Sequence, residues 1–142
     1  MRCKDIMKID VEVCWVMDPA AEVAERMRTR GIGFLPVCSE TGEVVGTVTD
    51  RDLTVRLLAE RLPHRTPIHR IMSTTPVTCS PFDPLALAED TMRRHHIRRI
   101  VCVDERNRPL GIISLADIAD VEFGWPLLRE GGLRDVQRYA MD

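Results

Sequence analysis

The chain repeats itself. Shifted by 65 positions, Ile6-Met7 falls on Ile71-Met72, and 12 of the 48 positions from Ile6 to Leu53 are identical without a gap. Unrelated sequences would match at about three. Cys14 meets Cys79, Asp18-Pro19 meets Asp83-Pro84, Met27-Arg28 meets Met92-Arg93, Gly46 meets Gly111 and Asp52 meets Asp117. Such a chain must fold as two copies of one small unit. The boundaries this suggests are a first repeat at 1–60, a Pro- and base-rich linker at 61–69, a second repeat at 70–120 and an extension at 121–142.

Each copy reads the same way. Asp18 is placed to cap a helix whose first position is Pro19, where the missing N–H costs nothing. Ala20, Val23, Ala24 and Met27 recur at helical spacing, and Gly31 and Gly33 end the run. Phe34–Cys38 predicts a strand, Glu40-Thr41-Gly42 a turn and Val44–Val48 the returning strand. Thr49 then opens a second helix, Asp50–Glu60, with Leu53, Leu57 and Leu58 as its buried stripe. The second copy follows suit: a helix from Asp83-Pro84 to about His95, strands Ile100–Val103 and Leu110–Ile113, and a helix from Ser114. Short β segments near Val11–Val13 and Val77–Cys79 precede the first helix of each copy. The order is β-α-β-β-α, twice.

A unit of this size has a sheet face that it cannot cover alone. Two units packed sheet to sheet, related by a pseudo-twofold axis, would cover both faces. The expected class is therefore α+β.

These residues resemble a known family. A β-α-β-β-α repeat carrying Gly-hydrophobic-hydrophobic-[Ser/Thr]-x-x-Asp is similar to the cystathionine-β-synthase (CBS) domain, and the tandem resembles a CBS pair, or Bateman module, of the stand-alone bacterial type. The matching segments are Gly46-Thr47-Val48-Thr49-Asp50-Arg51-Asp52-Leu53 and Gly111-Ile112-Ile113-Ser114-Leu115-Ala116-Asp117-Ile118. The resemblance implies a regulatory module that senses adenosine-containing ligands (AMP, ADP, ATP or S-adenosylmethionine) in clefts between the repeats. It also implies a homodimer arranged as a flat four-repeat disc, acting on a regulated protein that the sequence does not identify. An adenine nucleotide would be a regulatory ligand, with no cofactor required.

Thr49…Asp52 and Ser114…Asp117 admit two readings. Each fits a capping box, in which hydroxyl and carboxylate satisfy the free N–H groups of a helix start. The same start, with its partial positive charge, also suits a phosphate. The resemblance assigns phosphate contact to Thr49 and Ser114 and ribose contact to Asp52 and Asp117. A second cluster, Arg93-Arg94-His95-His96-Ile97-Arg98-Arg99, gathers four arginines and two histidines in seven residues. A solvated helix end accounts for its first half. Arg98, Arg99 and His96 are expected to hold phosphates, as basic residues do in similar pairs. The first copy has Gly33-Phe34 at the equivalent place, where the Phe34 ring would stack on a base or sit in the core. The first copy also carries Trp15 opposite Ser80 and Val16 opposite Pro81, so the two clefts should be unequal.

Five cysteines, at 3, 14, 38, 79 and 102, form no CxxC unit. Buried, reduced thiols are the simplest reading. Cys14 and Cys38 are the exception to be tested: neighbouring β segments would bring them within disulfide or zinc-binding reach. That pair supports an alternative reading, a structural or redox/metal-responsive dimeric protein with empty nucleotide clefts.

Other classes find no foothold. There is no Gly-rich phosphate loop followed by Lys, no H-E-x-x-H and no nucleophile elbow, so no enzymatic activity is expected. A net charge of −2 and 4% aromatic content argue against a nucleic-acid surface. The longest apolar runs fall far short of the ~20 residues that cross a bilayer, and the charged N-terminus has no signal core, so a cytoplasmic location is expected. Residues 121–142 hold much of the aromatic content and are expected to pack on the module or on a partner.

Overall fold

The computed structural model describes residues 1–123. The expected extension lies largely outside them, as 124–142 are not described. Among the described residues six strands and four α-helices follow in the order β1 (Cys14–Trp15), α1 (Ala20–Arg30), β2 (Phe34–Cys38), β3 (Val44–Thr49), α2 (Asp50–Asp52), β4 (Thr78–Cys79), α3 (Leu85–Arg94), β5 (Arg99–Val103), β6 (Pro109–Ser114) and α4 (Leu115–Phe123). They form two three-stranded sheets, ordered β1-β2-β3 and β4-β5-β6. β1 runs parallel to β2, β2 pairs antiparallel with β3, and β4 runs parallel to β5. This is the α+β architecture that the repeat predicts.

The chain divides into two compact units. Among the described residues, one comprises 10–76 with 103–109, and the other comprises 1–9, 77–102 and 110–123. Each has its own core. In the first unit Cys14, Ala20, Val23, Met27, Leu35, Val37, Val48, Ile68 and Ile71 are buried together. In the second the cluster is Cys3, Cys79, Leu85, Ala88, Met92, Ile100, Cys102, Ile113 and Ile118. Seven of these pairs are related by the 65-residue shift taken forward, and Ile68 and Cys3 by the same shift taken backward. The segment leading each repeat therefore completes the core of the other one. Each fully buried Val, Leu or Ile contributes ~1.5–3 kcal/mol, so Ile68 and Ile71 hold their segment firmly in the first unit.

Two local expectations need correction. The cap of α1 is Pro19, in extended conformation, and not Asp18. The N–H groups of Ala20 and Ala21 donate instead to the carbonyls of Thr66 and His64, both at 2.9 Å. Asp18 turns the other way, accepting from the Trp15 N–H at 3.0 Å and from Arg26 at 2.9 Å. After Asp52 the chain does not continue as an α-helix: Leu53–Leu58 form wider π-helical turns. The wider turn rotates the apolar stripe, so Leu53 and Leu57 pack on the core while Leu58 is 73% exposed.

Candidate functional site

The motif glycines mark a close crossing. In the first unit Ser73 and Thr47 exchange backbone hydrogen bonds at 2.9 and 3.1 Å, which lays Met72-Ser73 across β3 beside Gly46. A Cβ at Gly46 would lie 2.6 Å from the Ser73 carbonyl oxygen. In the second unit Lys8 and Ile112 exchange the same bonds at 3.0 and 3.1 Å, and a Cβ at Gly111 would lie 2.8 Å from Met7 Cγ. At Gly46 the obstacle includes backbone, and at Gly111 it is the Met7 side chain.

Three residues further on, each strand turns into a helix through a reciprocal cap. Thr49 Oγ1 accepts from the Asp52 N–H at 3.1 Å, and Asp52 Oδ2 accepts from the Thr49 N–H at 2.9 Å. Ser114 and Asp117 repeat both bonds at 3.0 Å. The capping reading of these residues is thus realised in full. Each cap uses only one carboxylate oxygen. Asp52 Oδ1 lies 3.8 Å from Arg56 Nε, and Asp117 Oδ1 lies 3.2 Å from Lys8 Nζ. Lys8 is 74% exposed, while Asp117 is 15% exposed. Arg56 stands four residues after Asp52, a spacing that puts both on one helix face, whereas Lys8 stands far from Asp117 in the chain and only the exchanged leading segment brings it close.

The other expected site residues distribute unevenly. In the second unit the Leu115 N–H, at the start of α4, donates to the Arg98 carbonyl at 3.0 Å, so Arg98 adjoins the Ser114–Asp117 cap. Arg98 is exposed, and Arg99 follows it half-buried at the start of β5. His96 is exposed beyond the end of α3 with φ 55°, in the left-handed region that Gly31 occupies after α1 with φ 63°. In the first unit the Asp50 N–H makes the equivalent bond to the Gly33 carbonyl at 3.1 Å. Phe34 is the cross-strand partner of Thr49, so ring and hydroxyl share a sheet face. One unit thus places an arginine at its helix start, and the other a glycine beside an aromatic ring. A shallow depression of about 530 Å³, lined by Glu12, Glu22, Arg26 and Arg30 among others, includes none of the expected residues.

The Cys14–Cys38 pair is not brought together. Cys14 lies opposite Val37 and Cys38 opposite Trp15. Successive strand residues alternate faces, so the two thiols point to opposite sides of the sheet. Cys14 Sγ–H donates to the Pro36 carbonyl at 3.6 Å. Burial pushes the Cys14 thiol up to about 12 and raises that of Cys38.

Thiols do meet in the second unit. Cys79 is the register partner of Cys102, with the two sulfurs 3.2 Å apart, and the ligating atoms of Cys3, Cys79 and Cys102 all lie within 4.8 Å of one another. Burial pushes Cys3 up to about 11. The hydrogen bond within the Cys79–Cys102 pair raises Cys79 and lowers Cys102. The repeat itself carried the signal for this cluster: the shift puts Cys79 on Cys14, but the partner strand position is 102, not 103.

Among the described residues no helix is long and apolar enough to cross a membrane. Residues 3–59 and 68–124 match the CBS domain. The chain is 34% identical over 119 residues to the uncharacterized protein YlbB of Bacillus subtilis, covering 83% of this chain and 80% of that one. The CBS domain pair of protein MJ0100, solved in complex with 5′-methylthioadenosine and S-adenosyl-L-methionine, superposes with a TM-score of 0.79 at 25% identity over 87% of this chain and 97% of its own. Hypoxic response protein 1 (of Mycobacterium tuberculosis), solved with two coordinated zinc ions, superposes with a TM-score of 0.77 at 28% identity over 84% of this chain and 97% of its own. With two matched copies spanning most of its length, the chain belongs to the CBS domain family.

Proposed function

We propose that the protein is a ligand-sensing regulatory module that binds an adenosine-containing nucleotide through its two capped helix starts. The observation that carries this reading is the division of labour within Asp117. Its Oδ2 is committed to the helix, while Oδ1 lies 3.2 Å from the ammonium of an exposed lysine. An exposed ion pair is worth only about 0–1 kcal/mol. A ribose diol donating two hydrogen bonds to that oxygen can replace it, so capping and ligand binding use different atoms of one carboxylate. Ser114 and Arg98, with Arg99 and His96 nearby in sequence, supply hydroxyl and cationic groups for phosphate or carboxylate. In the first unit Thr49, Asp52 and Phe34 play the corresponding parts, with the ring offered to a base in place of the arginine. The methylthioadenosine and S-adenosylmethionine held by the MJ0100 pair support an adenosine ligand. The reading assigns the chain no chemical step.

It also includes a homodimer. Val55 and Leu58 are exposed on the π-helical turns after α2 and offer an apolar strip to a second copy. Light scattering at micromolar concentration should give twice the 16.2 kDa of one chain; a value near 16.2 kDa would remove the dimer.

The test is calorimetric titration with AMP, ADP, ATP and S-adenosylmethionine against wild type and Asp117→Asn. The amide keeps an oxygen for the Ser114 N–H but loses the second acceptor charge. Affinity for the bound ligand should fall by ~1–3 kcal/mol, the range for a charged hydrogen bond. Unchanged affinity would remove the ribose role, leaving a dimeric protein with empty clefts as the better reading.

A further inference from the structure

We infer that Cys3, Cys79 and Cys102 form a three-coordinate thiolate site for a soft metal ion of the Cu(I) class. The inference is independent of nucleotide binding and uses none of the same side chains.

The geometry comes first. Three thiolates around one ion at ~2.3 Å stand about 4.0 Å from one another if the ion lies in their plane. Here the three sulfurs lie within 4.8 Å of each other, and the Cys79–Cys102 pair is at 3.2 Å. Closing one edge and opening another by less than an ångström yields the trigonal arrangement. The donors come from three separate segments: the 3-10 turn Cys3–Asp5, β4 and β5. All belong to one compact unit.

The chemistry of the surroundings selects the ion. Cys3 and Cys102 are fully buried and Cys79 is 8% exposed, so the three donors are shielded from water, with Cys79 the residue nearest the surface. Leu85, Ile6 and Val77 belong to the same apolar cluster. Among the described residues no His, Asp or Glu completes the group. Zn(II) asks for a fourth ligand, and hard cations ask for oxygen; a soft ion is content with three sulfurs. Each sulfur–metal bond forms from a thiolate, whose proton passes to solvent as the ion enters.

The repeat supplies the internal control. The same slot in the first unit is filled by Ile68, Cys14 and Val37, all fully buried. Apolar side chains therefore satisfy the packing there. The second unit has exchanged an isoleucine and a valine for cysteines, giving up apolar volume and gathering three thiols in one place. Core filling alone does not call for that exchange.

The experiment uses the full chain, reduced and free of oxygen, titrated with Cu(I) against a chromophoric Cu(I) chelator. After loading, rapid alkylation and mass spectrometry report which thiols are protected. One equivalent of Cu(I) should bind, with Cys3, Cys79 and Cys102 protected and Cys14 and Cys38 behaving as in the metal-free chain. Cys102→Val and Cys3→Ile recreate the first unit's own residues, so folding is retained, and each should lower affinity at least tenfold. Cys14→Ser and Cys38→Ser should leave it unchanged. Wild type holding Cu(I) no tighter than Cys102→Val would overturn the site, as would protection falling on Cys14 and Cys38.

Discussion

Replacing each motif glycine by alanine separates packing from ligand contact, because the two copies differ in what the new methyl group meets. At Gly46 the Cβ would stand 2.6 Å from the Ser73 carbonyl oxygen, well inside van der Waals contact. That oxygen cannot swing aside on its own, since it accepts from the Thr47 N–H at 3.1 Å while the Ser73 N–H donates back at 2.9 Å. Relief requires lifting Met72-Ser73 off β3. Overpacking costs ~1–3 kcal/mol, and weakening one or two hydrogen bonds adds about 1 kcal/mol each. Gly46→Ala should therefore destabilise the fold by ~2–4 kcal/mol. At Gly111 the nearest atoms are Met7 Cγ and Sδ, both at 2.8 Å, part of a flexible, unbranched side chain. Rotation of that side chain moves both atoms away and leaves Met7 Cβ at 3.0 Å, a contact that a shift of a few tenths of an ångström relieves, so Gly111→Ala should cost only about 1 kcal/mol. Urea unfolding followed by circular dichroism gives both values. Equal costs, or a larger cost at Gly111, would refute the reasoning from the Ser73 carbonyl.

Other outcomes follow from the same geometry. His96 occupies a left-handed backbone position at φ 55°, which favours glycine, so His96→Gly should raise stability by ~0.5–1 kcal/mol in thermal unfolding; a loss of stability would show that the imidazole makes a compensating contact. Thr49→Ala removes the acceptor of the Asp52 N–H and should cost ~0.5–2 kcal/mol, whereas Thr49→Ser should cost little. Burial holds the Cys14 thiol protonated to about 12 from an ordinary value of 9.0. The folded state then binds more protons than the unfolded one above pH 9, so this contribution is complete below about pH 9 and is lost as pH climbs toward 12. At ~1.4 kcal/mol per unit it amounts to at most ~4 kcal/mol. Stability measured across that window should fall less steeply in Cys14→Ala than in wild type, and parallel curves would contradict the assignment.

The repeat made the fold legible because its spacing carried paired signals. Met27 and Met92, Val48 and Ile113, and Leu35 and Ile100 sit in matching cores. Internal similarity does not say which copy a leading segment serves, however, and so Cys3 and Ile68 could not be assigned to their cores from sequence. The same gap hid Lys8 from Asp117. The cap of α1 was misplaced because Asp18-Pro19 satisfies the local rule, while the carbonyls that receive the helix N–H groups come from His64 and Thr66, more than forty residues away. Leu58 was misplaced because α-helical spacing was assumed where the backbone widens into π turns. The expected Cys14–Cys38 pair misses by one residue of register: strand pairing sets position 37 beside position 14, and the same register in the second copy brings Cys102 to Cys79. Both capping boxes were legible as patterns, since Ser/Thr and Asp three residues apart at a strand end carry their own geometry. The second carboxylate oxygen of Asp117 was not, because its neighbour Lys8 is brought in by tertiary structure, whereas Arg56 stands one helical turn after Asp52.

In the proposed function Asp117 serves the helix with one oxygen and a ribose with the other. Isothermal titration of wild type and Asp117→Asn with AMP, ADP, ATP and S-adenosylmethionine, alongside thermal unfolding of both without ligand, tests it most directly. At least one adenosine ligand should bind wild type saturably, with affinity weakened by ~1–3 kcal/mol in the variant and ligand-free stability changed by much less. Absence of binding to wild type, or equal affinity in the two proteins, would contradict it.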